Sequence, residues 1–142
     1  MVLERLIAAL KPGGWIVTEE FDAFSAPPRP LLEGADGVLK VRTAMTQLPA
    51  EHGANGNWAR LLFGRLPTLG LTEVEMEGRI FMARAGSPGL APMPANYEQL
   101  RPETIDAGFL TRGEIDAGLE QLNNADFAMT LPIMWAAWGR RP

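Results

Sequence analysis

The sequence predicts a mixed α/β fold, and three observations carry that prediction. Apolar residues recur every three or four positions in four segments, the signature of helices with one buried face. Three other segments are rich in aromatic and β-branched residues, or alternate in polarity, and read as strands. The two kinds are interleaved as helix, strand, helices, strand, helices, strand, the order of an α/β domain with few strands.

Met1 to Leu10 reads as a helix with Leu3, Leu6, Ile7 and Leu10 on one face. Pro12 ends it, because the residue before a proline avoids helical geometry. Lys11-Pro12-Gly13-Gly14 is then a type II turn: proline presets the first central position and glycine accepts the positive φ of the second. Trp15 to Phe21 follows as a strand. Its first half is apolar on both sides, which predicts burial on both faces. Ala23 to Gly37, with three prolines, reads as a loop.

Val38 to Leu48 reads as a helix whose inner face is Val38, Val41, Ala44, Met45 and Leu48. Asn57 is placed to cap a helix over Trp58 to Leu66, with Gly70 just past its end. Thr72 to Ala83 alternates and predicts one strand, with a bulge or bend at Gly78. Ala85 to Pro94 reads as a connector. Tyr97 to Ala107 reads as a helix with a break or new start at Arg101-Pro102. Thr111 to Leu122 is a helix opened by a capping box, Thr111 with Glu114. Phe127 to Trp138 predicts a last strand, with Pro132 at an edge or bulge.

The 142 residues are 46% apolar and 21% charged, near the average for a folded domain, which argues against wholesale disorder. They read as a single domain over 1–142. The net charge of −4, with no clustered Lys or Arg, argues against a nucleic-acid partner. No apolar run approaches the ~20 residues that span a bilayer, and no secretory leader is evident, so no membrane role and a cytoplasmic location are expected. Without cysteine, and with His52 as the single histidine, thiolate and multi-histidine metal sites are excluded.

The helix ending at Leu10-Lys11-Pro12-Gly13-Gly14, followed by an apolar strand closing in Glu19-Glu20-Phe21-Asp22, resembles the class I S-adenosylmethionine-dependent methyltransferases. In that family such a helix and turn lead into the fifth strand of the sheet. Leu69-Gly70-Leu71-Thr72-Glu73-Val74 is similar to the passage into the sixth strand, and Phe127 to Pro142 to the seventh. The resemblance implies the C-terminal portion of a Rossmann-like methyltransferase sheet, strands five to seven with flanking helices. Residues 1–83 would be its helix-strand-helix-strand part, and 84–142 a helical insertion and last strand. The family's G-x-G-x-G cofactor turn is absent from these residues. The chain alone is therefore expected to bind S-adenosylmethionine weakly or not at all.

Residues just past the fifth strand line the acceptor pocket in the family. The resemblance therefore makes Glu19, Glu20 and Asp22 candidate substrate-binding residues, since a carboxylate there can orient or deprotonate an acceptor. Their bland reading is three solvated acids at a strand end. Trp58, near Arg60 and Arg65, is a candidate substrate cap, against a packing role. Ser25 and Thr18 have no paired base and suggest no nucleophilic triad. A fifth strand without its inner neighbours has an open edge, so the strand over 15–21 is expected to pair in a homodimer or with a separate N-terminal half. The rival function is a non-catalytic dimeric ligand-binding or interaction module derived from a methyltransferase.

Overall fold

The computed structural model describes residues 2–22, 36–51 and 53–142. Among them lie five helices and five strands: α1 (Val2–Ala9), β1 (Trp15–Asp22), α2 (Asp36–Glu51), α3 (Trp58–Thr68), β2 (Thr72–Arg79), β3 (Met82–Arg84), α4 (Pro92–Asp106), α5 (Arg112–Asn123), β4 (Ala128–Thr130) and β5 (Ile133–Arg140). The class is mixed α/β. One sheet has the order β1-β5-β2, the other is the pair β3-β4, and all pairings are antiparallel. His52, Ser25 and most of the Ala23 to Gly37 loop fall outside the described residues; Asp36 and Gly37 open α2. The chain divides into two compact units: Met1–Ser25 with Gly56–Arg79 and Ile133–Pro142, and Ala26–Asn55 with Ile80–Pro132.

In the first unit the expected turn is present. Gly13 has φ +77°, and the Gly14 amide donates to the Lys11 carbonyl at 2.9 Å. β1 then pairs along its length with β5, Trp15 opposite Arg140 and Asp22 opposite Ile133. Ile16 and Ala137 face inward and pack with Leu62 and Leu66 of α3, Leu3 and Ile7 of α1, and Leu71. The end of α3 is a Schellman motif: Gly70 (φ +86°) donates to Pro67 and Leu71 to Leu66.

Burial of β1 on both faces is not found. Trp15, Val17 and Phe21 lie on the outer face, 48%, 64% and 47% exposed, because the described helices of this unit pack on the inner face alone. The Asn57 side chain does not cap α3; its Oδ1 accepts from Arg60 instead. The strand expected over Thr72 to Ala83 is two strands. β2 stays with β5 to Arg79, while Met82 to Arg84 pair with Ala128 to Thr130. Pro132 separates β4 from β5 in the same way, since it has no amide hydrogen to continue a ladder. The irregularity in β2 sits between Thr72 and Glu75, where Glu73 has φ +51°, and not at Gly78.

In the second unit α2, α4 and α5 gather around Val38, Val41, Tyr97, Ile115, Phe127 and Met129. Gly118 brings α5 against α2: a methyl group there would lie 2.8 Å from a Val41 methyl. α4 runs unbroken through Pro102. Met93, Tyr97 and Thr104 anchor both halves of the helix in the core, and the Arg101 fork binds Glu98 of α4 and Asp116 of α5 at 2.7–2.8 Å. One lost amide bond does not outweigh these contacts.

The Thr111–Glu114 capping box forms as its spacing predicts. The Lys40 ammonium, then the Thr111 amide and hydroxyl, hold the Glu114 carboxyl down from its ordinary 4.5 to about 2. A folded-state value below the unfolded one stabilises above the unfolded value, and that stability fades as pH falls from 4.5 toward 2. Thermal melts across this window should show the decline in the wild type and a shallower one in Thr111→Ala, which keeps the backbone amide but loses the hydroxyl, one of the three donors.

Candidate functional site

The C-terminal end of β1 is where the candidate acids lie, and β1, β2, β5 and α3 build what surrounds it. Alternation along β1 sends Glu19 to the outer face, opposite Ala136, and Glu20 and Asp22 to the inner one. Glu19 and Glu20 are exposed; Asp22 is fully buried. The three acids therefore do not form one carboxylate cluster.

Asp22 is held by side chains from distant parts of the chain. The Trp135 indole Nε1 of β5 donates to its Oδ2 at 3.2 Å. Arg60 Nε of α3 lies 3.4 Å from the same oxygen, and Arg60 also donates to Asn57. The indole finds its place because Gly78 sits opposite Trp135 across β2 and β5. A methyl group at 78 would come within 2.7 Å of the ring, so the glycine serves close approach rather than a bend.

Buried and paired with a cation and an N–H donor, Asp22 is a positioning group. What it positions is Arg60, whose side chain is 47% exposed. The planar fork of Arg60, with Glu20 on the same face of β1, is the chemistry this end presents to solvent: recognition of a carboxylate or another planar polar group. Arg60 is the residue that sequence reasoning undervalued. The signal was its place three residues after Asn57 at the start of α3.

Trp58 is half-buried, packs against the first-unit core and carries the Arg65 guanidinium 4.7 Å above its ring centroid. Its packing role is therefore visible, and its ring is already stacked. Trp135 and Trp138 point to opposite faces of β5, as alternation requires.

Among the described residues, no glycine turn that leads into a strand is left with a free backbone. The one Gly-Gly turn that leads into a strand has its backbone committed: Gly13 donates to Arg141, Gly14 donates to Lys11, and the Gly14 carbonyl accepts from Arg141. Among the described residues no group of three or more His, Cys, Asp or Glu could hold a metal ion, and no helix is long and apolar enough to cross a membrane. Neither the protein-family models nor the curated proteins compared with the chain include a match to it.

Proposed function

We propose that these residues form the C-terminal, substrate-side part of a small-molecule S-adenosylmethionine-dependent methyltransferase, completed by a partner along the free edge of β1. One observation carries the reading. β1 is entered through the Lys11 to Gly14 turn and lies beside the last strand, β5, as the resemblance puts the fifth strand beside the seventh. The finer fold, a Rossmann-like sheet of strands five to seven, belongs to the same proposal.

The side of β1 away from β5 pairs with no strand among the described residues. Its outer face carries Trp15, Val17 and Phe21. An apolar strand with an open edge is a template for another strand. The partner is a second copy in a C2 contact, the commonest closed arrangement, or a separate half bearing the cofactor turn. Glu20 and the Asp22-held Arg60, on the inner face, would then border the acceptor, with Trp58 behind them, while Glu19 would face the partner. The commitment of Asp22 to Arg60 and Trp135 favours the second reading, a non-catalytic interaction module, over a role for Asp22 as base.

Light scattering at micromolar concentration tests the partner. A mass of two chains is expected, falling to one in Val17→Lys, because an edge lysine opposes strand addition. A wild-type mass of one chain excludes the second copy. Calorimetry with S-adenosylhomocysteine tests the division of labour: no binding is expected from the chain alone, and tight binding by it would refute the proposed split.

A further inference from the structure

The groove between α2 and α4, in the second unit, holds an arginine with no ion pair among the described residues. Arg42, Met45 and Thr46 of α2 face Met93, Asn96 and Leu100 of α4 across a cavity of about 210 Å³. Arg42 lies one turn beyond Val38, on the apolar stripe of its helix rather than on its solvated side. Its Nε is enclosed and has no hydrogen-bond partner, and no ion pair to it occurs among the described residues.

Tyr97 closes the same groove and cannot supply the missing negative charge. Burial pushes its phenol up, so it stays neutral, and its hydroxyl donates to the Val38 carbonyl at 3.4 Å. Burial lowers the Arg42 value, yet a guanidinium remains protonated at ordinary pH. An enclosed Nε–H without an acceptor costs its desolvation. A fold selected only for packing would place a methionine or leucine at this point of the stripe.

We propose that this groove binds a small carboxylate with a short apolar tail, the carboxylate seated on the Arg42 guanidinium. The planar fork of arginine matches a carboxylate in paired hydrogen bonds. Met45, Met93 and Leu100 offer an adaptable apolar wall to the tail. Thr46 and Asn96 add polar groups beside it. The cavity is smaller than the ~300–1,000 Å³ that drug-sized ligands fill, so the ligand is small. A phosphate dianion calls for more donors than one arginine provides. The site lies wholly within the second unit and does not rest on the methyltransferase reading.

Titration followed by amide shifts, with hexanoate, hexanamide and inorganic phosphate as probes, tests the proposal. Hexanoate is expected to saturate, with shifts at Arg42, Met45 and Leu100. Hexanamide should bind about tenfold more weakly or worse, the effect of losing one charge-assisted hydrogen bond. Arg42→Met should abolish hexanoate binding and raise Tm, because it removes an enclosed Nε–H without an acceptor from an apolar stripe. Arg42→Lys keeps a charge without the fork and should weaken binding. Equal binding of hexanoate and hexanamide, tighter binding of phosphate, or a lower Tm in Arg42→Met would each overturn the proposal.

Discussion

Tyr97→Ala is expected to destabilise the second unit by about 3–5 kcal/mol, the range for deleting a buried aromatic side chain. In a chain of this size that lowers Tm by roughly 10–20 °C. Tyr97 is 1% exposed at the junction of α2, α4 and α5, where no smaller side chain closes the gap. Tyr97→Phe should lose no more than about 1 kcal/mol, since the hydroxyl makes one long hydrogen bond. The contrast separates ring from hydroxyl. Equal losses in the two variants, read by denaturant unfolding, would mean that the hydroxyl and not the ring holds the three helices.

Asp22→Ala is expected to cost about 1–3 kcal/mol, because it leaves the Trp135 indole N–H without its acceptor. The half-exposed Arg60 adds little, as solvent screens its pairing. Trp135→Phe removes the donor, so the double variant should be less destabilised than the sum of the singles. Additive losses would show that the indole and the carboxylate do not depend on each other. Asp22→Asn, which keeps an acceptor, should fold nearly as well as the wild type and release Arg60 from its charge partner.

What the sequence makes legible in this chain is local. The Pro12-Gly13 turn, the Gly70 helix end and the Thr111–Glu114 box each depend on residues a few positions apart, and each is found. The division of Thr72 to Ala83 is not legible, because alternation continues past Arg79 while the ladder partner changes from β5 to β4. Alternation identifies a strand and not its neighbour. The burial of Asp22 is not legible for the same reason: Arg60 and Trp135 reach it from 38 and 113 positions away. Arg42 was legible in principle. Val38, Arg42 and Met45 fall at i, i+4 and i+7, and a charge inside that stripe is the signal.

The order β1-β5-β2 also governs when the first unit can exist. On the ribosome, residues 15–22 and 72–79 emerge well before the strand that lies between them. Nothing in that sheet can close until residues 133–140 have left the exit tunnel. During that wait two nascent strands carry unmatched backbone donors and acceptors, the condition in which wrong pairings arise. Glu19 and Glu20 in one, and Glu73, Glu75 and Glu77 in the other, put like charges on both strands, which opposes their premature pairing with each other. The acids on these strands thus have work to do before the sheet is born, whatever they do at its finished edge.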